Sequence, residues 1–304
     1  MFFNKYLITL FTVFFAVGGL YCAAYNILVW QGLNIQTMPF ETLYNYQIKK
    51  AQKSSAVTVF IGDSSLGNAL NAGLLSELSG ENTENYALTG TFGYRGSFEM
   101  LKNIYRYNKK IKHVIIMHTV DMMTRPIAEN YNQPFIILKS EGFNGINLSV
   151  FNLHTVKKFY NSLKNNNWGE PEDNITIDND YMPQGLPLSF KDDTEGFKAN
   201  QIRLEKIKYL GEIYHFCNNN NLTCAYIHGP IEENICKDSN KYLSKVNSLI
   251  NKSGIILLSD MPICIPREHV GDSIDHIHPD YKDQYTRMYF YNHFKNWIFG
   301  GIEE

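Results

Sequence analysis

The chain has 304 residues, with 28 basic and 30 acidic side chains and a formal charge of −2. Hydrophobic residues make up 44% and charged residues 19%, enough for a substantial core, which excludes a disordered or fibrous protein. There is no basic excess to neutralise a row of phosphates, so the composition argues against nucleic acid as a partner. Aromatics at 14% suit carbohydrate platforms, but they also fill ordinary cores.

From Tyr6 to Phe40 there is no charged residue. Its apolar part, Tyr6 to Trp30, is about 25 residues, long enough for a membrane-spanning helix with some tilt. Small residues around Val17–Gly19 and Cys22–Ala24 fit a cleaved signal peptide, but the apolar run continues past both to Trp30. The expectation is an uncleaved anchor over residues 1–32, with Lys5 inside. That predicts a single-pass protein of the inner, cytoplasmic membrane, with the remainder on the extracytoplasmic side. Residues 33–55 read as a juxtamembrane connector with a short helix from Phe40 to Lys53.

Residues 56–304 read as one domain. Val57–Ile61 is a short β-branched run ending in Gly62, a buried strand. A helix is expected over Leu66–Leu78, a strand over Asn85–Leu88, a helix over Phe98–Tyr107 and a strand over His113–Met117. From about 122 to 200 the pattern breaks, with Pro126, Pro134, Pro171, Pro183 and Pro187, and reads as an insertion with a helix around Phe151–Leu163. Order returns with a helix Ile202–Cys217, a strand Thr223–Ile227, a helix Asn240–Asn251, a strand Ile255–Leu258 and an amphipathic helix Pro279–Phe299. Alternating strands and helices predict an α/β fold, a parallel sheet with helices on both faces, whose ligand site lies beyond the carboxyl ends of the strands. Cys217, Cys224, Cys236 and Cys264 permit two disulfides, and Cys217–Cys224 and Cys236–Cys264 are the pairings to test first.

Gly62-Asp63-Ser64-Ser65 follows the first strand and opens a helix. A serine there presents its hydroxyl at the ligand edge, beside unpaired amides that favour a developing oxyanion. The competing reading is a plain helix cap made by Asp63 or Ser64. Gly271-Asp272-Ser273 repeats the tripeptide with no clear strand before it, so the strand–turn–helix setting carries the signal. Asp275-His276-Ile277-His278-Pro279 supplies a candidate base: His278 stands three residues after Asp275, a spacing that lets the carboxylate orient one ring nitrogen. The competing reading is a capping cluster at Pro279.

These blocks resemble the SGNH or GDSL-like hydrolases and acyltransferases. Their hallmarks are a Gly-Asp-Ser nucleophile after the first strand and an Asp-x-x-His near the C-terminus, matched here by Ser64 and by Asp275 with His278. The resemblance implies a three-layer, flavodoxin-like fold and a catalytic trio of Ser64, His278 and Asp275. It also implies an oxyanion hole from the amides of Ser64 and Gly90, with neither cofactor nor metal. The third block departs from the family: His118-Thr119-Val120-Asp121 has Val120 where an oxyanion-hole asparagine is usual, so either His118, Asn68 or another donor substitutes or the hole has only the amides of Ser64 and Gly90. The layout looks most like membrane-anchored O-acyltransferases of alginate, peptidoglycan or teichoic acid D-alanylation type. Those imply an envelope polysaccharide as acceptor and a multi-spanning membrane acyltransferase as acyl supplier.

His118, His228, Tyr94 and Arg95 are candidate substrate-binding residues, and Trp168 is a candidate sugar platform. A carbohydrate esterase shares every catalytic residue, and a non-catalytic glycan-binding scaffold is the third class. A zinc site from Asp272, Asp275, His276, His278 and Asp280 is the metal alternative.

Overall fold

The computed structural model describes residues 41–126 and 195–299, with scattered positions between 6 and 24, at 160 and 164, and at 187–189. The chain divides into two compact units, Met1–Thr42 with Glu129–Asp173, and Leu43–Ala128 with Asn174–Glu304. The second unit carries everything that follows.

In chain order its elements are α1 (Glu41–Ala51), β1 (Thr58–Gly62), α2 (Ser64–Ala69), α3 (Ala72–Ser79), β2 (Thr83–Ala87), α4 (Gly93–Tyr107) and β3 (His113–His118). Then come α5 (Ile207–Asn219), β4 (Thr223–His228), β5 (Ile231–Glu232), α6 (Glu233–Asp238), α7 (Asn240–Lys252), β6 (Ile256–Leu257), β7 (Cys264–Ile265), α8 (Lys282–Tyr289) and α9 (Lys295–Phe299). A π-helical turn, Phe290–Phe294, joins the last two. Five strands pair in parallel in the order β2-β1-β3-β4-β6. This is the expected α/β sheet flanked by helices. The order reverses between β1 and β3, so the crevice for a ligand opens at their carboxyl ends.

Burial explains the pattern. Every residue of β1 is buried, and in β3 only the first, His113, is not, as two-sided helical cover requires. Phe60 on β1 packs edge-on against Phe294, with ring centroids 5.1 Å apart, tying the C-terminal helix to the central strand. Burying such a side chain contributes about 1.5–3 kcal/mol.

Several expectations change. The single helix over Leu66–Leu78 is two, because Leu70 is extended and Asn71 caps α3 by accepting from the Leu74 amide. The residues read as a connector include α1, which is part of the body. Gln47 Nε2 donates to Ala87 O (2.9 Å) and Lys50 Nζ to Asn85 O (2.7 Å), so α1 covers the open edge of β2. The insertion starts later than residue 122, since Met122 and Met123 are fully buried. It ends before residue 197, whose amide donates to Ser239 Oγ (2.9 Å). The helix expected near 151–163 lies almost wholly outside the described residues. Both expected disulfides, Cys217–Cys224 and Cys236–Cys264, are present.

The membrane anchor is not upheld. Among the described residues no helix is long and apolar enough to cross a membrane. Residues 25–40 of the proposed span and its flank lie outside the described residues.

Candidate active site

The site is built on Asp63. It follows β1 and caps α2, and its carboxylate is wholly buried. It accepts from the Ser65 amide (3.0 Å), the Ser65 hydroxyl (2.6 Å) and the Thr119 amide (3.0 Å), with His118 Nδ1 at 3.3 Å. One side chain thereby fastens the carboxyl end of β1 to that of β3, across the switch point. Burial alone raises a carboxyl's pKa, but His118, the Ser65 hydroxyl and Arg125 overcome it and hold Asp63 lowered to about 2. Close approach of the two strand ends is also written at Gly62, where any Cβ would overlap the carbonyl oxygen of Met117.

Ser64 is the first residue of α2 and is half-buried. Among the described residues its hydroxyl and its amide have no hydrogen-bond partner, and its carbonyl accepts from Asn68 Nδ2 (2.8 Å). Asn68 is therefore bound locally and serves as a helix brace. Ser65 is fully buried and committed to Asp63, so of the two neighbouring serines only Ser64 is available. Asp63 is the cap that the competing reading expected, and capping leaves Ser64 free.

Gly90 lies in the turn between β2 and α4, and its amide also finds no acceptor among the described residues. A Cβ at Gly90 would overlap Nη1 of Arg125, so the guanidinium lies directly against this glycine. Arg125 Nε donates to Asp121 Oδ1 (2.8 Å), and its Nη2 stands 3.5 Å from Asp275 Oδ2. No feature of the sequence pattern singled out Arg125. It comes just before Pro126, at the start of what reads as an insertion, and its role depends on a turn that folds back over β2.

The C-terminal block departs from expectation. Asp275 is buried, but it accepts from Ser273 Oγ (2.5 Å) and faces Arg125; it makes no hydrogen bond to His278. His278 caps the turn at Pro279: its Nδ1 accepts from the Asp280 amide (3.3 Å) and lies 3.6 Å from Asp280 Oδ2. The spacing Asp275–His278 thus forms no orienting pair, because Ile277 between them is held in the core, bridged antiparallel to Val270. His276 is the histidine with a close carboxylate, Nδ1 to Asp272 Oδ1 at 2.7 Å, and its Nε2 stands 3.9 Å from Asp275.

Helix α8 runs beside α2 in a fixed register. Lys282 Nζ donates to Gly67 O (2.8 Å) and Thr286 Oγ1 to Ala69 O (3.3 Å). His278 lies four residues before Lys282, ahead of the helix, and its side chain is not hydrogen-bonded to that of Ser64.

Three expected substrate contacts lie in the interior. His118 is fully buried between Asp63 and Ser97 Oγ (2.8 Å), so it braces the site from behind and supplies no oxyanion contact. His228 is fully buried and bonds Asn247 Oδ1 through Nε2 (2.7 Å); burial lowers its pKa to about 4. Tyr94 is buried with its hydroxyl 3.1 Å from that of Tyr226. Arg95 is half-buried on the first turn of α4 and forms no ion pair among the described residues. Trp168 lies outside the described residues. The residues of the zinc alternative do not converge: His276 turns to Asp272 and His278 to Asp280. Among the described residues no group of three or more His, Cys, Asp or Glu is placed to hold a metal ion.

No family model matches the chain, and no curated protein matches it. Among solved structures it is similar to one described as "a putative platelet activating factor" from Streptococcus pneumonia, at 10% identity and a TM-score of 0.44. That similarity covers 90% of this chain and 99% of the other.

Proposed function

We propose that the protein is a serine acyl-transfer enzyme that moves an acyl group to a polysaccharide hydroxyl through an acyl-enzyme on Ser64. The observation that carries the reading is the unpartnered Ser64 hydroxyl at the carboxyl end of β1, with the amides of Ser64 and Gly90 also unbound among the described residues. The resemblance of the Gly-Asp-Ser block and of the C-terminal histidine block supports the same chemistry.

In this scheme His278 takes the Ser64 proton as the hydroxyl oxygen attacks the ester carbonyl. The two amides hold the oxyanion. The bond to the leaving alcohol breaks, and the alcohol takes the proton back from His278. A sugar hydroxyl then gives its proton to His278 and attacks the acyl-enzyme carbonyl, and Ser64 leaves, taking that proton back from His278. For His278 to act as the base through Nε2, its Nδ1 must give up the Asp280 amide and carry the proton towards the Asp280 carboxylate, 3.6 Å away. Closing the gap between Ser64 and His278 is left to the bound substrate, as catalytic contacts often tighten only in the complex.

The experiment is a rapid-mixing assay with p-nitrophenyl acetate, with and without a polysaccharide acceptor. The scheme expects a burst of nitrophenol and an acetyl group on Ser64 by mass spectrometry, both absent from Ser64→Ala. Acceptor acetylation marks a transferase. Turnover by water alone marks the esterase reading, which uses the same residues. No burst, or one undiminished in Ser64→Ala, refutes acyl transfer at this site.

A further inference from the structure

We infer that Arg125 is a catalytic residue of this site, its Nη1 serving as a charged third donor to the oxyanion beside the amides of Ser64 and Gly90. The inference rests on the acyl-transfer reading and deepens it. The guanidinium donates from Nε to Asp121 (2.8 Å), and its Nη2 pairs with Asp275 at 3.5 Å without a hydrogen bond. Its Nη1 has no acceptor among the described residues, and it lies against Gly90 where any side chain would overlap it. The Arg125 side chain is about one-third exposed, while Asp275 is buried and Asp121 is largely so.

The anchors are fixed in turn. Thr119 Oγ1 donates to Asp121 Oδ1 (3.0 Å), and the Thr119 amide is bound by Asp63. The residue that places Ser64 therefore also places the guanidinium. A donor held this rigidly stabilises charge as it develops, with no reorganisation at the moment of reaction. Two carboxylates explain why an arginine is present. They do not explain why its third nitrogen is pressed onto a glycine whose own amide is unbound.

The test uses the full chain as wild type, Arg125→Lys, Arg125→Ala and Ser64→Ala, with p-nitrophenyl acetate. Arg125→Lys keeps a cation between Asp121 and Asp275, so it preserves the fold, but an ammonium bound there cannot also reach Gly90. We expect kcat to fall about 10²-fold in Arg125→Lys with KM changed less than about threefold, the mark of a contact made only in the transition state. Added methylguanidinium is expected to restore part of the rate of Arg125→Ala and none of Ser64→Ala. A kcat for Arg125→Lys within about threefold of wild type overturns the inference, because it reduces Arg125 to charge balance. A wild type that turns over no ester, or a Ser64→Ala protein as active as wild type, sinks the acyl-transfer reading and this inference with it. An active, Ser64-dependent wild type with an unimpaired Arg125→Lys sinks the inference alone.

Discussion

Replacing Asp63 with asparagine removes the charge at the centre of the site while keeping its shape. The asparagine oxygen can retain the two hydrogen bonds from Ser65. Its Nδ2 then faces the Thr119 amide where Oδ2 accepted at 3.0 Å, a donor against a donor, and leaves that amide only the longer bond to Oδ1 (3.2 Å). Impairing a buried hydrogen bond in this way costs about 1–3 kcal/mol. The second route to the magnitude is the carboxyl itself, lowered from 3.8 to about 2, which corresponds to about 2 kcal/mol at neutral pH. The two overlap, so the expected loss is about 3 kcal/mol, a fall in Tm of about 6–12 °C. The sign of the pH dependence follows from the depressed pKa. The stabilisation is full above 3.8 and is lost as pH falls through about 2, so the gap between wild type and variant narrows in that window. Urea unfolding followed by circular dichroism at pH 7 and at steps down to about pH 2 measures both. A variant within about 0.5 kcal/mol of wild type at pH 7 refutes the claim that Asp63 fastens β1 to β3.

Gly62→Ala sets a methyl group against the Met117 carbonyl, backbone against backbone, and is expected to cost at least about 3 kcal/mol in urea unfolding. Wild-type stability in that variant contradicts the close strand approach. His228 is held neutral by burial, its pKa lowered from 6.5 to about 4, so the fold binds fewer protons than the unfolded chain. Stability is therefore full above 6.5 and falls by about 3 kcal/mol as pH drops to 4, a slope that His228→Gln flattens. Equal slopes for both proteins dismiss this buried neutral histidine. Removing the Cys236–Cys264 bridge, which closes 28 residues, is expected to cost about 3.6 kcal/mol, and removing Cys217–Cys224, which closes 7, about 2.4 kcal/mol. The reverse order in Tm of the two paired-serine variants counts against the loop-closure account.

The strands were legible as short runs set between helices, clearest at β1 and β3, which are β-branched and buried. The structure moves their ends by at most two residues, as at β2, where Thr83 and Glu84 extend the pairing with Thr58 and Val59. Ser64 was legible for a local reason, a strand followed directly by a capped helix. Histidines were not, because exposure is decided by distant packing. His118 and His228 end central strands, but Asp63, Ser97 and Asn247 close over them. Asp275 and His278 misled for a related reason. Their spacing fits a pair only if the intervening chain stays open, and Ile277 between them is held in the core instead. Arg125 carried no signal at all, since its place depends on Asp121 and Asp275, which lie 4 residues before it and 150 after it. The short β5–β7 pairing was hidden too, two residues per strand being too few for any periodicity.

The central claim is that the Ser64 hydroxyl is an activated nucleophile. A fluorophosphonate offered to the intact chain, with the modified peptide identified by mass spectrometry, tests it most directly. The account predicts one adduct, on Ser64, absent from Ser64→Ala and kept in Ser65→Ala. An unlabelled wild type, or labelling that persists without Ser64, contradicts it.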